Sequence, residues 1–281
     1  MKIVFMAVLL VFFVYILLVS PRIFKRPDMS KYKNAMIAHR GLFDNKSDAP
    51  ENSMKAFSNA VEAGLGIEMD VQLSKDGIPV VFHDFTLDRV CGIEGKVCEY
   101  TYEELSKFRL CGSEETIPKF EDVLKLVDGK VPLIVEYKLN KMSAKVCEVS
   151  DRLLADYGGV YCMESFHPLA LLWYRNNRPG VARGQLSDAF LKHTEFKDQS
   201  AWTRVLLFIL TNLWFNVLAR PDFIAFNKAY PDTFSRNLLK KVFHIPQAAW
   251  TIQSDDELNS ALNAFDIYIF DGFVPQKLQV Q

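Results

Sequence analysis

The chain has 281 residues, 49 % of them hydrophobic and 24 % charged, a size at which one large core or a single α/β barrel is common. Its formal net charge of −1 argues against a nucleic-acid-binding protein, which needs a clear basic excess. Five cysteines at irregular spacing, without a C-x-x-C pair, argue against a disulfide framework and a structural zinc site. Cys91 and Cys98 could close a small loop in an oxidising compartment, but we interpret them as unpaired thiols.

The N-terminus carries an uncharged apolar stretch over residues 3–19. As a helix it would be about 25 Å long, just enough for the hydrocarbon core of a bilayer. A cleaved signal peptide has a shorter apolar region followed by small residues, and neither feature fits well. We therefore interpret residues 1–21 as a single-span membrane anchor and residues 22–34 as a basic linker. The basic residues after the span place the following domain on the cytoplasmic side by the positive-inside rule.

From residue 35 to residue 281, short apolar strands alternate with amphipathic helices. Strands are predicted at 36–38, 67–73, 78–82, 132–137, 160–163, 181–186, 223–226, 248–252 and 267–270. Helices are predicted at 52–63 with Asn52 as the cap, and at 102–108, 120–127, 143–157, 169–176, 233–242 and 255–263. About eight strand–helix units predict an α/β fold of the (β/α)₈ TIM barrel type, with a small insertion at 85–117 after the second strand.

The stretch at 205–219 is uncharged and does not fit the alternation. It is short for a membrane span, and a second crossing would divide the barrel. One interpretation is a buried helix of the barrel. The other is a helix in the membrane interface, with Trp202 and Trp214 at the level of the head groups.

Three carboxylates are predicted to meet inside the barrel. Glu68 and Asp70 are two residues apart on one strand, so both side chains project from the same face. Glu136 ends another apolar strand and can complete the set. Such a cluster repels itself unless a cation lies within it, and ligands that are all oxygen select a hard ion, Mg²⁺ or Ca²⁺.

Two histidines follow predicted strands near these acids, His39 after the first strand and His83 after the strand at 78–82. Histidine is suited to general acid–base work near neutral pH. Arg40 and Lys138, each next to one of these candidates, can hold a phosphate group. One divalent metal ion, two histidines and two cationic side chains together predict cleavage of a phosphodiester.

With these motifs in place, residues 34–275 resemble the glycerophosphodiester phosphodiesterase family of phospholipase-C-like TIM barrels. The motifs that carry the resemblance are His39-Arg40-Gly41, Pro50-Glu51-Asn52-Ser53, Glu68-Met69-Asp70-Val71, Lys75-Asp76-Gly77, His83-Asp84, Leu87-Asp88-Arg89, Glu136-Tyr137-Lys138, Ser165-Phe166, Trp250-Thr251 and Asp271-Gly272-Phe273. The resemblance implies hydrolysis of glycerophosphodiesters to an alcohol and glycerol 3-phosphate.

The same resemblance implies roles for individual residues. The metal ligands fall on Glu68, Asp70 and Glu136, the acid–base pair on His39 and His83, and the phosphate-binding positions on Arg40 and Lys138. The chain departs from the family at His167, where an acid is frequent. It also has Phe270 in place of the threonine of a closing I-T-D motif.

Two alternative functions stay open. The first is a lysophospholipase D that acts on membrane lysolipids, assisted by the anchor at 3–19 and the stretch at 205–219. The second is a catalytically inactive barrel that serves as a membrane-tethered binding module. The sequence makes no prediction of the oligomeric state.

Overall fold

A computed structural model of the protein describes residues 1–196 and 198–276. Its strands all belong to one sheet. They are β1 (Met36–His39), β2 (Gly66–Leu73), β3 (Pro79–Val81), β4 (Leu133–Tyr137), β5 (Tyr161–Ser165), β6 (Arg183–Ser187), β7 (Phe223–Asn227), β8 (Gln247–Ile252) and β9 (Ile267–Phe270).

Among the described residues, helix α1 precedes the first strand and the other helices lie between strands. They are α1 (Lys2–Val19), α2 (Met54–Glu62), α3 (Asp88–Cys91), α4 (Tyr102–Leu105), α5 (Phe120–Val127), α6 (Lys145–Leu154), α7 (Pro168–Asn177), α8 (Ala201–Thr211), α9 (Asn216–Ala219), α10 (Phe234–Phe243) and α11 (Asp255–Ala261).

The sheet is a closed barrel of eight parallel strands. β1 pairs in parallel with both β2 and β9, and the remaining strands pair in the order β9-β8-β7-β6-β5-β4-β2. β3 lies outside this ring and pairs antiparallel with β2 alone. The barrel strands are buried along nearly their whole length, as expected for parallel strands covered by helices. The predicted (β/α)₈ TIM barrel is therefore confirmed.

The core has an outer layer between strands and helices and an inner layer inside the barrel. The inner layer combines small and β-branched side chains, among them Ile37, Ile134 and Ala225, with a few larger ones such as Phe223. Gly184 of β6 makes room in this layer, since a Cβ built there would overlap the ring of Phe223. Apolar packing fills the part of the barrel interior near the strand N-termini, and polar side chains occupy the other end.

The region between β3 and α5 forms a small core of its own. Apolar side chains of this segment pack together in a cluster that includes Phe82, Leu87, Val97 and Leu105. Its regular structure is limited to two short α-helices, α3 and α4, and one 3₁₀ turn at Val97–Glu99. This is the segment for which the sequence predicts a small insertion at 85–117.

Two predicted helices differ from the observed ones. The cap of α2 is Ser53, whose Oγ accepts from the Ala56 backbone N–H at 3.1 Å, and not Asn52, whose φ of 57° lies in the left-handed region. The uncharged stretch at 205–219 is divided between α8 and α9, with Leu213 at φ 60° between them. Leu207 is the one buried residue of α8, at 8 % exposed, so the interpretation as a buried barrel helix is wrong for this part.

Helix α1 is long and apolar enough to cross a membrane, by length and composition. Its last turns pack against the barrel, where the hydroxyl groups of Tyr15 and Ser235 are hydrogen-bonded at 2.7 Å. At Val19 the carbonyl accepts from the Asn216 side chain at 3.0 Å. Arg22 then pairs with Asp222, just before β7, at 3.4 Å. The helix is thus fastened to the barrel wall by its C-terminal end.

Candidate active site

The predicted site residues meet at the C-terminal end of the barrel strands, where TIM barrels carry their active sites. A cavity of about 100 Å³ opens there. Its lining includes His39, Arg40, Glu68, His83 and Glu136. His39 and Glu136 are nearly one hundred residues apart in sequence. They come together because β1, β2 and β4 are adjacent in the ring.

The three predicted metal ligands form one cluster. Glu68, Asp70 and Glu136 are buried, and each offers a carboxylate oxygen within 4.8 Å of the other two. Strand register explains the proximity, since Asp70 lies opposite Glu136 in the pairing of β2 with β4. The Oε1 atom of Glu68 is buried without a hydrogen-bond partner. An unsatisfied buried carboxylate oxygen in such a cluster fits a site for a hard cation.

The cluster perturbs the ionisation of its members. Burial, and then the negative charge of Asp70 and Glu136, raise the pKa of Glu68 well above its usual range. Burial also raises the pKa of Glu136, against the charge of Lys138. For Asp70 the charges of Lys138 and His83 outweigh burial and hold its pKa well below normal. The carboxylates therefore compete for positive charge.

Lys138 supplies part of that charge. Its Nζ lies 3.0 Å from Asp70 Oδ1 and 2.7 Å from Glu136 Oε1. Burial disfavours the ammonium, but the two carboxylates outweigh it and raise the pKa of Lys138. The predicted phosphate-binding lysine thus bridges two candidate metal ligands.

Arg40 reaches the cluster from the other side. Its backbone, at φ 56°, directs the amide N–H to Glu68 Oε2 at 3.1 Å. Its guanidinium donates to Glu51 Oε1 at 2.6 Å and lies 3.5 Å from Asp70 Oδ2. Asn52, also left-handed, donates from its side chain to Asp70 Oδ2 at 2.9 Å. Asn52 is therefore not the helix cap. Its left-handed backbone instead brings the side-chain amide to Asp70, a candidate metal ligand.

Each histidine is held by a carboxylate through Nδ1. His39 Nδ1 lies 2.8 Å from Asp271 Oδ2, and His83 Nδ1 lies 2.5 Å from Asp84 Oδ1. Because an ionised carboxylate only accepts, Nδ1 carries the hydrogen in both rings and Nε2 is left for the cavity. The Nε2 of His39 lies 3.9 Å from Glu68 Oε2. Burial lowers the pKa of His39, and the bond to Asp271 opposes this only in part.

Five supporting residues were present in the motifs but received no role in the site from the sequence. They are Glu51, Asn52, Asp84, Arg89 and Asp271. All of them contact a candidate residue directly or through one further side chain. Asp84 directly follows His83, and this position was the sequence signal available for it. The bond between His39 and Asp271, in contrast, joins opposite ends of the domain.

Glu164 is a further acid in the cavity that sequence reasoning missed. It lies on β5 directly opposite Glu136 of β4 and lines the same cavity. Its Oε2 is buried without a hydrogen-bond partner. Burial, followed by the charge of Glu136, raises the pKa of Glu164 well above normal. The motif Ser165-Phe166 next to it was the only sequence signal.

The chain is similar to known phosphodiesterases in sequence. Glycerophosphodiester phosphodiesterase of Bacillus altitudinis is 43 % identical over 111 residues, covering 37 % of this chain and 44 % of the relative. The enzyme of the same name from Caldanaerobacter subterraneus is 45 % identical over 105 residues, covering 35 % and 42 %. The chain spans less than half the length of these curated relatives in the matches.

Solved structures show the same fold. A phosphodiesterase of Oleispira antarctica, solved in complex with the product sn-glycerol-3-phosphate, aligns with a TM-score of 0.68 at 24 % identity, covering 89 % of this chain and 96 % of that one. A glycerophosphodiester phosphodiesterase of Thermotoga maritima aligns with a TM-score of 0.64 at 22 % identity, covering 88 % and 97 %.

A family model matches more than half of the chain, over residues 39–194, and this range contains both histidines and all three clustered acids. Its description is the glycerophosphoryl diester phosphodiesterase family. The barrel, the site at its mouth and this match agree, and the chain belongs to the glycerophosphoryl diester phosphodiesterase family.

Proposed function

We propose that the protein hydrolyses glycerophosphodiesters to an alcohol and glycerol 3-phosphate with one divalent cation, Mg²⁺ or Ca²⁺. The observation that carries the proposal is the cluster of Glu68, Asp70 and Glu136 within 4.8 Å, next to a cavity that two of these acids line together with His39 and His83. Oxygen ligands only, one of them without a partner, fit a hard cation. When bound, such an ion polarises the phosphoryl group and offsets its charge.

The side chains of the cavity have complementary roles in this proposal. Arg40 and Lys138 bind the phosphate oxygens. Contacts to the phosphate then replace part of the contacts that these two side chains now make with Asp70 and Glu136. His39 is the base in this proposal, because burial lowers its pKa and so favours the neutral imidazole, and its Nε2 lies 3.9 Å from Glu68 Oε2. His83 is then the acid that protonates the leaving alcohol.

Two carboxylates orient these histidines. Asp271 and Asp84 accept from Nδ1 of His39 and His83 respectively, which fixes each ring with Nε2 towards the cavity. This arrangement supports a direct attack by water or an attack by the glycerol hydroxyl that forms a cyclic phosphate, because either nucleophile can lose its proton to His39. We propose the acid–base assignment for both routes.

We further propose that residues 1–21 anchor the protein in a membrane, with residues 22–34 as a basic linker and the barrel at 35–281 on the cytoplasmic side. The support is the apolar helix α1 and the excess of basic residues that follows it. An uncleaved helix is favoured by its contacts with the barrel wall at Tyr15 and Val19.

The test is hydrolysis of glycerophosphocholine, glycerophosphoethanolamine and glycerophosphoinositol by the full chain, with Mg²⁺, with Ca²⁺ and with a chelator. We expect metal-dependent release of glycerol 3-phosphate and loss of activity with the chelator. The Asp70→Asn variant should stay inactive with either metal. An inactive binding module would bind the diesters without releasing product under any of these conditions, and that result would refute the proposal.

A further inference from the structure

Glu164 is a buried acid at the mouth of the barrel that has no part in the proposed mechanism. The residue is 1 % exposed, and its Oε2 atom has no hydrogen-bond partner. Among the described residues no cationic side chain forms an ion pair with it, and Lys138 forms its ion pairs with Asp70 and Glu136 instead. A buried carboxyl group without a partner lowers stability, so the packing of the fold does not explain Glu164.

Glu164 stands beside the candidate metal cluster without belonging to it. In the part of the chain that the structure describes, the acids whose oxygens lie within 4.8 Å of one another are Glu68, Asp70 and Glu136. Glu164 lies opposite Glu136 in the pairing of β4 with β5, one strand further around the ring. Neighbouring strands are about 4.8 Å apart, so a group attached to a phosphate at the cluster can reach Glu164.

Trp250 brings a second polar group without a partner to the same cavity. It belongs to β8, and its Nε1 atom is buried without a hydrogen-bond partner. Its ring packs edge-on against Phe166, with the ring centroids 5.6 Å apart. The indole N–H only donates, whereas a carboxyl oxygen accepts. The cavity therefore offers one donor and one acceptor that the protein itself leaves unused.

The rest of the cavity is small and largely apolar on this side. Its volume of about 100 Å³ corresponds to about three water molecules at roughly 30 Å³ each. Phe166, Leu186 and Ile269 contribute apolar walls. There is room for one small alcohol of the diester, and the other alcohol has to lie outside. Apolar walls with two polar groups suit a short carbon chain that carries hydroxyl groups.

The two unused polar groups together favour a hydroxyl over an ammonium as their ligand. A hydroxyl both donates and accepts, so it can pair with Glu164 and with Trp250. An ammonium only donates, and it would leave the Trp250 N–H without an acceptor. In the proposed reaction the alcohol common to all substrates is glycerol, and it carries two free hydroxyl groups.

From these observations we propose that Glu164 is a specificity residue that accepts a hydrogen bond from a free hydroxyl of the substrate's glycerol, with Trp250 as the donor beside it. The inference rests on the proposed function and names the contact by which the enzyme distinguishes glycerol from other alcohols. The phosphate lies at the metal cluster, the glycerol enters the small cavity, and the second alcohol points away from it.

The test compares three substrates of the full chain in lipid nanodiscs at saturating metal. They are glycerophosphocholine and the phosphocholine esters of propane-1,2-diol and propane-1,3-diol, each of which lacks one glycerol hydroxyl. We expect kcat/KM of the wild type to fall by about ten- to a hundredfold for at least one analogue, because the buried polar group is then left unpaired. A wild type that hydrolyses both analogues as well as glycerophosphocholine would overturn the inference.

Two variants assign the discrimination to Glu164. In Glu164→Leu the acceptor is absent, so kcat/KM for glycerophosphocholine should fall to the level of the disfavoured analogue, whose own kcat/KM should change little. Glu164→Gln keeps a hydrogen-bonding oxygen and should retain part of the discrimination. A discrimination that survives unchanged in Glu164→Leu, or an equal loss for all three substrates, would refute the role of Glu164.

Thermal unfolding without substrate distinguishes this role from a structural one. Both Glu164 variants should unfold at the wild-type Tm or above it, because the carboxyl group has no partner in the fold to lose. Glu51→Gln is the matched control, since Glu51 is also buried but is held by Arg40 and Arg89, and its Tm should be lower. A lower Tm in both Glu164 variants would also refute the inference.

The result for the wild type alone already tests the inference, whatever the variants do. If the wild type hydrolyses glycerophosphocholine without discrimination, the role of Glu164 is refuted and the proposed function stands. If the wild type hydrolyses neither glycerophosphocholine nor the other glycerophosphodiesters with any metal, the proposed function itself is refuted.

Discussion

Arg89 and Glu51 form a bidentate ion pair, with Nη1 to Oε2 and Nη2 to Oε1 both at 2.7 Å. The Nε of Arg89 also donates to Asp84 Oδ2 at 2.7 Å. Because Glu51 holds Arg40 and Asp84 holds His83, one guanidinium connects the supports of two candidate site residues. The segment after β3 is thereby tied to the loop before α2.

This pair predicts an acid-labile contribution to stability. Burial alone would raise the pKa of Glu51, but the bonds from Arg89 and the charge of Arg40 outweigh it and lower the pKa from 4.5 to about 2. Because the pKa of Glu51 is lower in the folded than in the unfolded protein, its carboxylate stabilises the fold at pH values above the unfolded pKa. This stabilisation is lost as the pH falls. We expect about 3 kcal/mol of the free energy of unfolding to disappear between about pH 5 and pH 2.

The measurement is urea unfolding of the full chain in nanodiscs at several pH values, for the wild type and Glu51→Gln. The variant should be less stable at pH 7, and the difference between the two proteins should shrink towards pH 2. A difference that is independent of pH would contradict the assigned charge interaction.

The histidine pair predicts a loss of rate without a loss of fold. We expect His39→Ala and His83→Ala each to lower kcat by about 10²–10⁴, because each removes a positioned proton donor or acceptor. Steady-state hydrolysis of glycerophosphocholine measures the rate, and circular dichroism checks the fold. His244→Asn is the matched control, since His244 has φ 51° at the end of α10 and asparagine tolerates that conformation. A folded His83→Ala enzyme with wild-type turnover would refute the assignment.

Lys138 predicts a link between stability and metal. The Lys138→Met change leaves Asp70 and Glu136 without their shared ammonium, and breaking a buried pair in this way costs about 3–5 kcal/mol. Thermal unfolding should therefore show a much lower Tm in chelator. Because a divalent cation replaces the missing charge, saturating Mg²⁺ or Ca²⁺ should raise Tm more in the variant than in the wild type.

The control for this experiment is Lys130→Met, since Lys130 is exposed and removed from the cluster. Its Tm should match the wild type with and without metal. If the Lys138→Met protein gained no more from metal than the wild type, the cluster would not be the cation site.

Gly184 predicts a packing limit inside the barrel. A methyl group there would overlap the Phe223 ring, so Gly184→Ala should destabilise the protein by about 1–3 kcal/mol. Gly180→Ala is the matched control because a Cβ there meets nothing within 4 Å, and its effect should be within about 0.5 kcal/mol. Urea unfolding of both variants measures the difference, and equal stabilities would show that β6 and β7 shift to accept the methyl group.

Much of the fold could be predicted from local patterns. Most strands of the barrel are rich in apolar residues, and β9 has the predicted bounds, as does α5. The alternation of strands and helices is sufficient to indicate the barrel, since parallel neighbours require a crossover helix. Helix ends are harder to predict. Asn52 was assigned to a cap because asparagine is frequent at helix N-caps, where its side-chain oxygen accepts a backbone N–H, and it is equally frequent in left-handed turns, the conformation it adopts here.

The site was only partly visible in the sequence. Glu68 and Asp70 follow from the two-residue period of a strand, and Glu136 from its place at a strand end. Glu164 has the same kind of position on β5, but a single acid on a strand gives no sign of its burial. The pairing of His39 with Asp271 depends on the closure of β1 on β9, which is a property of the whole ring.

The register of neighbouring strands has a consequence for redesign of this barrel. Asp70 faces Glu136 and Glu136 faces Glu164 only because β2, β4 and β5 pair without offset. Inserting or deleting one residue in β4 would turn Glu136 out of the lumen and bring an aliphatic neighbour in. Grafts and loop exchanges in these strands must therefore preserve residue parity, and retained turnover would serve as a direct report that parity was kept.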